Sequence, residues 1–242
     1  LIQGRDAEPL LQRLCANNVG GPVGTITYTA MLNHKGGFET DVTVTRLADN
    51  TFQVVAPTAQ ATRDANWINR NIRSDEFAVL TDVTGQYTVL SIMGPNSREL
   101  LQRAAPYADL SNEAFPFGTA QTIGVGHAMV NARRITYVGE LGWELYVPCE
   151  SAHVVYQALL QANGGLDGQD CLGLVNGGYY AIAALRMEKG YRAWGHELTP
   201  SVTPFEAGLG FAVDLTSGKD FIGREALLRQ KEAGLQRRLL CF

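Results

Sequence analysis

Four cysteines in 242 residues, Cys15, Cys149, Cys171 and Cys241, lie far apart, with no C-x-x-C pair and no flanking histidine. Neither a disulfide framework nor a zinc site is expected from that spacing, and buried thiols in a reducing compartment are the better reading. Histidine is equally scarce. His34, His127, His153 and His196 show no metal-ligand spacing and no nucleophile motif, so no metal centre is expected and each reads as a surface or core residue. No P-loop occurs. Gly124-Val125-Gly126 lacks the third glycine and the strand-to-helix setting of a dinucleotide loop. The net charge of −4 is mild and gives no reason to expect nucleic acid or an anionic membrane as partner. No apolar run approaches the roughly 20 residues of a membrane-spanning helix. No signal peptide is visible. The chain opens at Leu1 and stops at Arg238-Leu239-Leu240-Cys241-Phe242, which reads as the middle of a strand, so a fragment of a longer protein is expected.

What remains is an ordinary globular balance, 45% apolar and 18% charged, long enough for one large domain or two intimate lobes. Asp6, Pro9 and the stripe Leu10, Leu11, Leu14 predict a capped first helix. Thr25–Leu32 reads as a strand, followed by a turn over Asn33–Gly37 and a hairpin of Asp41–Leu47 with Thr51–Ala56. Ala59–Arg73 reads as helix. A second hairpin is expected from Phe77–Val83 and Tyr87–Met93 through Thr84-Gly85-Gln86. A helix over Arg98–Ala104 precedes strands near Thr119–Gly124, His127–Arg133 and Arg134–Tyr137, a tight turn at Gly139–Gly142, and a strand at Trp143–Val147. Helices follow at His153–Gln161 and at Tyr179–Lys189, the latter ended by Gly190 as a left-handed C′ residue. Tyr191–Gly210 is mainly loop, and a last helix opens at Gly223-Arg224-Glu225 and closes at Gly234. Strands and helices mix without strict β-α-β alternation. The fold class is therefore α+β, mixed or antiparallel sheets with packed helices in two intertwined lobes, and no domain boundary is drawn from composition.

Two carboxylates stand out. In Asp41-Val42-Thr43-Val44-Thr45 the period of two sends the valines one way and Asp41, Thr43 and Thr45 the other. An Asp within a β-branched strand is locally disfavoured, and burial would raise its pKa and suit it to hold or move a proton near an amine. In Tyr137-Val138-Gly139-Glu140-Leu141-Gly142-Trp143-Glu144, two glycines make a corner flanked by Tyr137 and Glu144. A carboxylate there can accept two parallel hydrogen bonds from an amidine-like edge, such as that of a pterin. An ordinary hairpin with an exposed Glu remains the plainer alternative. Lys189 and Arg192 read as a solvated helix end sooner than as an anion site. Taken this far, the residues describe a polar pocket with one or two carboxylates and an unspecified substrate.

Several stretches carry a resemblance over nearly the whole chain. They are Tyr28-Thr29-Ala30-Met31-Leu32-Asn33 with Gly36-Gly37 and Asp41, Met93-Gly94-Pro95-Asn96-Ser97-Arg98, the Tyr137–Glu144 segment, Leu185-Arg186-Met187-Glu188-Lys189-Gly190, and Thr203-Pro204-Phe205-Glu206-Ala207-Gly208-Leu209. In this order and spacing the chain resembles the glycine-cleavage T-protein (aminomethyltransferase) family and its folate-binding relatives. Glu188–Gly195, Asp220–Leu227 and Gly234–Cys241 are more similar to the C-terminal region of dimethylglycine dehydrogenase and oxidase and of sarcosine dehydrogenase. The resemblance implies an aminomethyltransferase folate-binding fold with a ferredoxin-like part, occupying residues 1–242, with a flavin domain upstream and a C-terminal barrel downstream in the parent. It implies tetrahydrofolate as cofactor, and FAD only in that upstream domain. The implied function is capture of a one-carbon unit, iminium or formaldehyde from an oxidised N-methyl amine, as 5,10-methylenetetrahydrofolate. The implied partners are the folate, the one-carbon donor and the flavin domain in cis, and the implied location is cytoplasmic, or mitochondrial for an animal source.

Site roles follow the resemblance position by position. Asp41 matches the acid beside the reactive amines of the folate, and Thr43 and Tyr28 match pocket-lining positions. Tyr137 matches a tyrosine packed on or bonded to the cofactor, and Glu144 the carboxylate that grips the pterin edge. Asp41 and Glu144 are accordingly expected to face one cavity. Two departures narrow the reading. Ile182 stands where the T-protein has a folate-contacting arginine, and Lys189-Gly190-Tyr191-Arg192 stands where iron–sulfur-assembly relatives carry a Lys-Gly-Cys-Tyr motif. No flavin fingerprint is present, so this chain is not expected to oxidise amines by itself. A free-standing aminomethyltransferase or demethylase, and a non-catalytic folate-binding module, are the alternatives.

Overall fold

A computed structural model describes residues 1–164 and 171–240. The chain divides into two compact units: Leu1–Asp82 with Arg192–Phe242, and Val83–Tyr191. The strands and helices of the first unit are β1 (Ile2–Gln3), α1 (Ala7–Leu14), β2 (Ile26–Leu32), β3 (Phe38–Ala48), β4 (Thr51–Val55), α2 (Ala61–Arg70) and β5 (Val79–Leu80). The second unit contributes β6 (Tyr87–Met93), α3 (Ser97–Ala104), β7 (Ala120–Val125), β8 (Ala128–Arg133), β9 (Gly142–Pro148), α4 (Ala152–Ala162) and α5 (Tyr179–Glu188). A last helix, α6 (Arg224–Ala233), belongs to the first unit.

In the first unit a sheet of order β2-β3-β4-β1-β5 is antiparallel at every described pairing. Its core face is built by alternation. Val42, Val44 and Phe52 point from the strands to Leu10, Leu11 and Leu14 of α1 and to Trp67 and Ile68 of α2. A second cluster gathers Ala30, Leu32 and Phe38 with Leu198, Ala207, Phe221 and Leu227. Asp6 stands at the N-cap of α1, but its carboxylate accepts the Phe77 N–H at 2.7 Å instead of an α1 amide. The expected cap is a tie between segments.

The second unit has a sheet of order β6-β9-β8-β7, again antiparallel. Trp143, Leu145 and Val147 of β9 pack with Leu100 and Leu101 of α3 and Val155 and Leu159 of α4 on one face.

Four expectations change. Phe77–Val83 and Tyr87–Met93 do not form a hairpin: β5 pairs with β1, and β6 pairs with β9 in the other sheet. Of Phe77–Val83, Val79–Leu80 form the strand, and the short segment between the two runs joins two units. Arg134–Tyr137 is not a strand, and residues 134–141 instead form an irregular connection from β8 to β9. The helix expected over Ala59–Arg73 is α2 proper, preceded by a 3-10 turn at Thr58–Gln60. Arg238–Leu240 are not in a strand, and Cys241 and Phe242 lie outside the described residues. The ends of α5 and α6 fall as expected, with Gly190 at φ +67° and Gly234 at φ +78°.

Candidate functional site

In the first unit, the strand alternation that buries Val42 and Val44 turns Asp41 and Thr43 to the opposite face. Tyr28 of β2 is the cross-strand partner of Thr43 and reaches diagonally to Asp41, its hydroxyl donating to Oδ2 at 3.0 Å. Phe211 stacks on the Tyr28 ring, with centroids 5.9 Å apart. Three of the five predicted site residues therefore form one cluster. Burial pushes the Asp41 carboxyl above the usual carboxylate range, and the Tyr28 hydroxyl only partly opposes this. The other oxygen, Oδ1, is buried without a hydrogen-bond partner among the described residues. An orphaned acceptor of that kind fits an amine N–H brought by a ligand.

Behind Asp41, Thr40 points to the core side and donates to Asp64 Oδ2 at 3.0 Å. Asp64 is buried in α2, and its carboxyl is pushed up to about 6, first by burial, with Asp41 and Glu39 adding repulsion against the opposing Thr40 and Arg63. Sequence reasoning did not single it out. A signal existed: Asp64, Trp67 and Ile68 fall at i, i+3 and i+4, which places the Asp on the buried stripe of α2.

In the second unit, β9 sends Trp143 and Leu145 to the core and turns Glu144 and Tyr146 the other way. The Tyr146 hydroxyl donates to Glu144 Oε2 at 3.0 Å. Arg133, fully buried, is the cross-strand partner of Glu144, and its guanidinium lies 3.6 Å from the Tyr146 ring centroid. Its Nε donates to Asn131 Oδ1 at 2.9 Å, and Asn131 is in turn the partner of Tyr146. Burial raises the Glu144 carboxyl, while the Tyr146 hydroxyl and the Arg133 charge act to lower it. Arg133, Asn131 and Tyr146 were not foreseen, although Asn131 and Arg133 on one strand and Glu144 and Tyr146 on the next repeat the polar alternation seen at Asp41.

Tyr137 lies on the β8–β9 connection, 38% exposed, with its ring 6.4 Å from that of Tyr191. The glycines beside it have steric reasons. A Cβ on Gly142 would stand 2.2 Å from the Ile92 carbonyl oxygen, and Gly139 has φ +72° beneath the Lys189 side chain. Lys189 pairs with Glu140 at 3.1 Å, in line with a solvated helix end. Among the described residues, no group of three or more His, Cys, Asp or Glu could hold a metal ion, and no helix is long and apolar enough to cross a membrane. A groove of about 580 Å³ in the first unit, walled by Phe205, Gln230, Leu235 and Leu239, contains none of the five predicted residues.

The fold is that of an aminomethyltransferase. The solved structure of glycine cleavage system aminomethyltransferase T from Bartonella henselae superposes with a TM-score of 0.78 over 96% of this chain and 60% of that one, at 24% identity. The chain belongs to the GCVT N-terminal domain family, whose model matches residues 1–217. Mitochondrial sarcosine dehydrogenase of Mus musculus is 42% identical over all of this chain and 27% of its own length. The mitochondrial pyruvate dehydrogenase phosphatase regulatory subunit of Mus musculus is 38% identical over 99% of this chain and 26% of its own. Mitochondrial dimethylglycine dehydrogenase of Rattus norvegicus is 35% identical over all of this chain and 27% of its own. The chain thus spans about a quarter of these relatives. The resemblance read from the sequence holds, and so does the α+β class.

Proposed function

We propose that this chain binds tetrahydrofolate and serves as the one-carbon acceptor region of a larger flavin-dependent N-methyl amine dehydrogenase or oxidase. Bound tetrahydrofolate supplies a pair of nucleophilic amines that take up a carbon at the iminium or formaldehyde level, giving 5,10-methylenetetrahydrofolate. The observation that carries this reading is Glu144, a carboxylate held by Tyr146 beside the Arg133 charge and able to accept the paired N–H groups of a pterin edge. Tyr137 packs on the cofactor. Asp41, biased towards its protonated form and hydrogen-bonded by Tyr28, holds or takes the proton released as the C–N bond forms, with Thr43 lining the same face. Oxidation of the amine, and FAD, belong to the flavin domain of the parent. The mitochondrial relatives support a mitochondrial location for an animal source, and otherwise we place the protein in the cytoplasm.

Calorimetric titration with tetrahydrofolate tests the reading. Glu144→Ala should weaken binding about ten- to hundredfold, the 1.5–3 kcal/mol typical of hydrogen bonds to a charged group. Asp41→Asn should leave the dissociation constant within a few-fold and instead lower methylene transfer in the flavin-containing parent. Equal loss of binding in both variants would sink this division of labour, and absence of binding by the unaltered chain would sink the folate assignment. One finding favours a second, non-catalytic reading: a relative of comparable identity is named as a regulatory subunit. Unchanged transfer in Asp41→Asn would turn the choice that way.

A further inference from the structure

We propose that Arg133 and Tyr146 are positioning residues that hold Glu144 as a two-point acceptor for a ligand edge bearing two parallel N–H donors. The proposal rests on the folate reading above for the identity of the ligand, but not for the behaviour of the carboxylate. Four side chains make a square on two paired strands, Asn131 and Arg133 on β8 facing Tyr146 and Glu144 on β9. Two edges and one diagonal of the square are in side-chain contact. Asn131 accepts from Arg133 Nε at 2.9 Å, the Arg133 guanidinium stands over the Tyr146 ring at 3.6 Å, and the Tyr146 hydroxyl donates to Glu144 Oε2 at 3.0 Å.

The phenol can spend its one proton only once, and it goes to Oε2. Oε1 and the remaining lone pairs of Oε2 stay available for a ligand. The donor also fixes the plane in which they point, because Tyr146 is itself held beneath the guanidinium and is 4% exposed. Arg133 is fully buried and so cannot be the group that meets a ligand in solvent. Its charge acts through Glu144 instead. The square is open on one side: the cross-strand neighbour of Glu144 on β6 is the exposed Ser91. The groups that bear on Glu144 are therefore Arg133 from β8 and Tyr146 on its own strand, with uncharged Ser91 on β6, while Tyr87 at the start of β6 acts on Arg133.

Burial alone would favour the neutral acid, which is a poor two-point acceptor because one oxygen then carries a proton. The arginine and the tyrosine oppose that bias without cancelling it. An edge presenting two donors is accepted by the ionised form, whereas an edge presenting an acceptor meets only lone pairs. The device selects a 2-amino-4-oxo heterocycle edge or another amidine-like group.

The test uses the ligand-free 242-residue chain with glutamate labelled by ¹³C at the side-chain carboxyl, Glu144→Gln giving the assignment. The variant is Tyr146→Phe, which keeps the ring under the guanidinium and removes only the hydroxyl. The ionisation midpoint of Glu144 should rise by about one pH unit. The tetrahydrofolate dissociation constant at pH 7 should rise about three- to tenfold, and binding should weaken further as pH falls from 8 to 6. Arg133→Lys, which keeps the charge but loses the stacked plane, should give an intermediate shift. A variant with a native circular dichroism spectrum in which neither the midpoint nor the affinity moves overturns the proposal. If the midpoint moves but the unaltered chain does not bind tetrahydrofolate, the positioning role stands and the folate reading falls.

Discussion

Asp41 and Glu144 lie in different units of the chain and share three circumstances. Each sits on the polar face of an antiparallel strand whose other face is core, each is partly buried, and each accepts a tyrosine hydroxyl at 3.0 Å, from Tyr28 and Tyr146 respectively. They differ in the fourth. Glu144 has the fully buried cation Arg133 directly across the sheet, whereas the charge coupled to Asp41 is another carboxylate, Asp64. Burial raises both carboxyls, but a cation opposes the rise at Glu144 whereas a second carboxylate lies beside Asp41 in the other unit.

The largest effect expected from breaking the comparison is on stability. Arg133→Met leaves Glu144 facing a desolvated strand without its counter-charge. The loss in urea unfolding should be about 2–4 kcal/mol, toward the lower end because Glu144 keeps part of its surface in solvent. Pairing it with Glu144→Gln should restore much of that loss, since removing both partners abolishes the uncompensated charge. Asp41→Asn should cost nothing or add stability at pH 7, because the charge it removes is one that folding disfavours. Equal destabilisation by Arg133→Met and Asp41→Asn would erase the distinction between the two sites.

A smaller effect separates the units by pH. Asp64, ordinarily near 3.8, is pushed up to about 6 in the folded chain. Between these values the unfolded chain has lost the proton and the folded chain keeps it. Stability conferred by that retained proton is complete below about pH 4 and is lost as pH rises through 6. The span should be on the order of 2 kcal/mol, read as the slope of unfolding free energy between pH 4 and 6.5. Asp64→Asn should flatten the slope and raise stability at pH 7. Since Asp41 and Asp64 repel, the same substitution should also lower the midpoint of Asp41. A slope that persists in Asp64→Asn would move the proton to another group.

Much of this was legible in the residues themselves. The alternation of Asp41-Val42-Thr43-Val44-Thr45 placed Asp41 and Thr43 on a shared face correctly, and the register of β2 then brought in Tyr28. The glycines at 190 and 234 marked helix ends because only a residue without a Cβ enters the left-handed region cheaply. What was not legible depends on pairing between distant strands. Nothing local distinguishes β5, which joins β1 in one sheet, from β6, which joins β9 in another, because period-two alternation records a face and not a partner. Arg133 was unreadable for the same reason: its meaning comes from lying across from Glu144, eleven positions along a chain that loops irregularly between them. Asp64 was readable and went unnoticed, a polar residue at a stripe position of α2.

The smallest expected effect concerns Lys189, a cation of the second unit that meets the Tyr137–Glu144 segment at Glu140. Its ammonium pairs with Glu140 at 3.1 Å with both side chains more than 40% exposed. In that setting the attraction is screened and two flexible side chains must be ordered, so Lys189→Ala should cost about 0–1 kcal/mol of stability. Folate affinity should change less than about threefold, a free energy below the ~1.4 kcal/mol of a tenfold step. Arg133 differs in being buried and coupled to Glu144, the carboxylate we propose as the ligand's anchor. The resemblance puts Ile182 where the T-protein has a folate-contacting arginine, so the tail of the folate we propose would lack that partner. If Lys189→Ala weakened tetrahydrofolate tenfold while leaving a tail-less pterin unaffected, Lys189 would have taken over that role. The ion pair with Glu140 would then be the resting state of a tail-binding lysine.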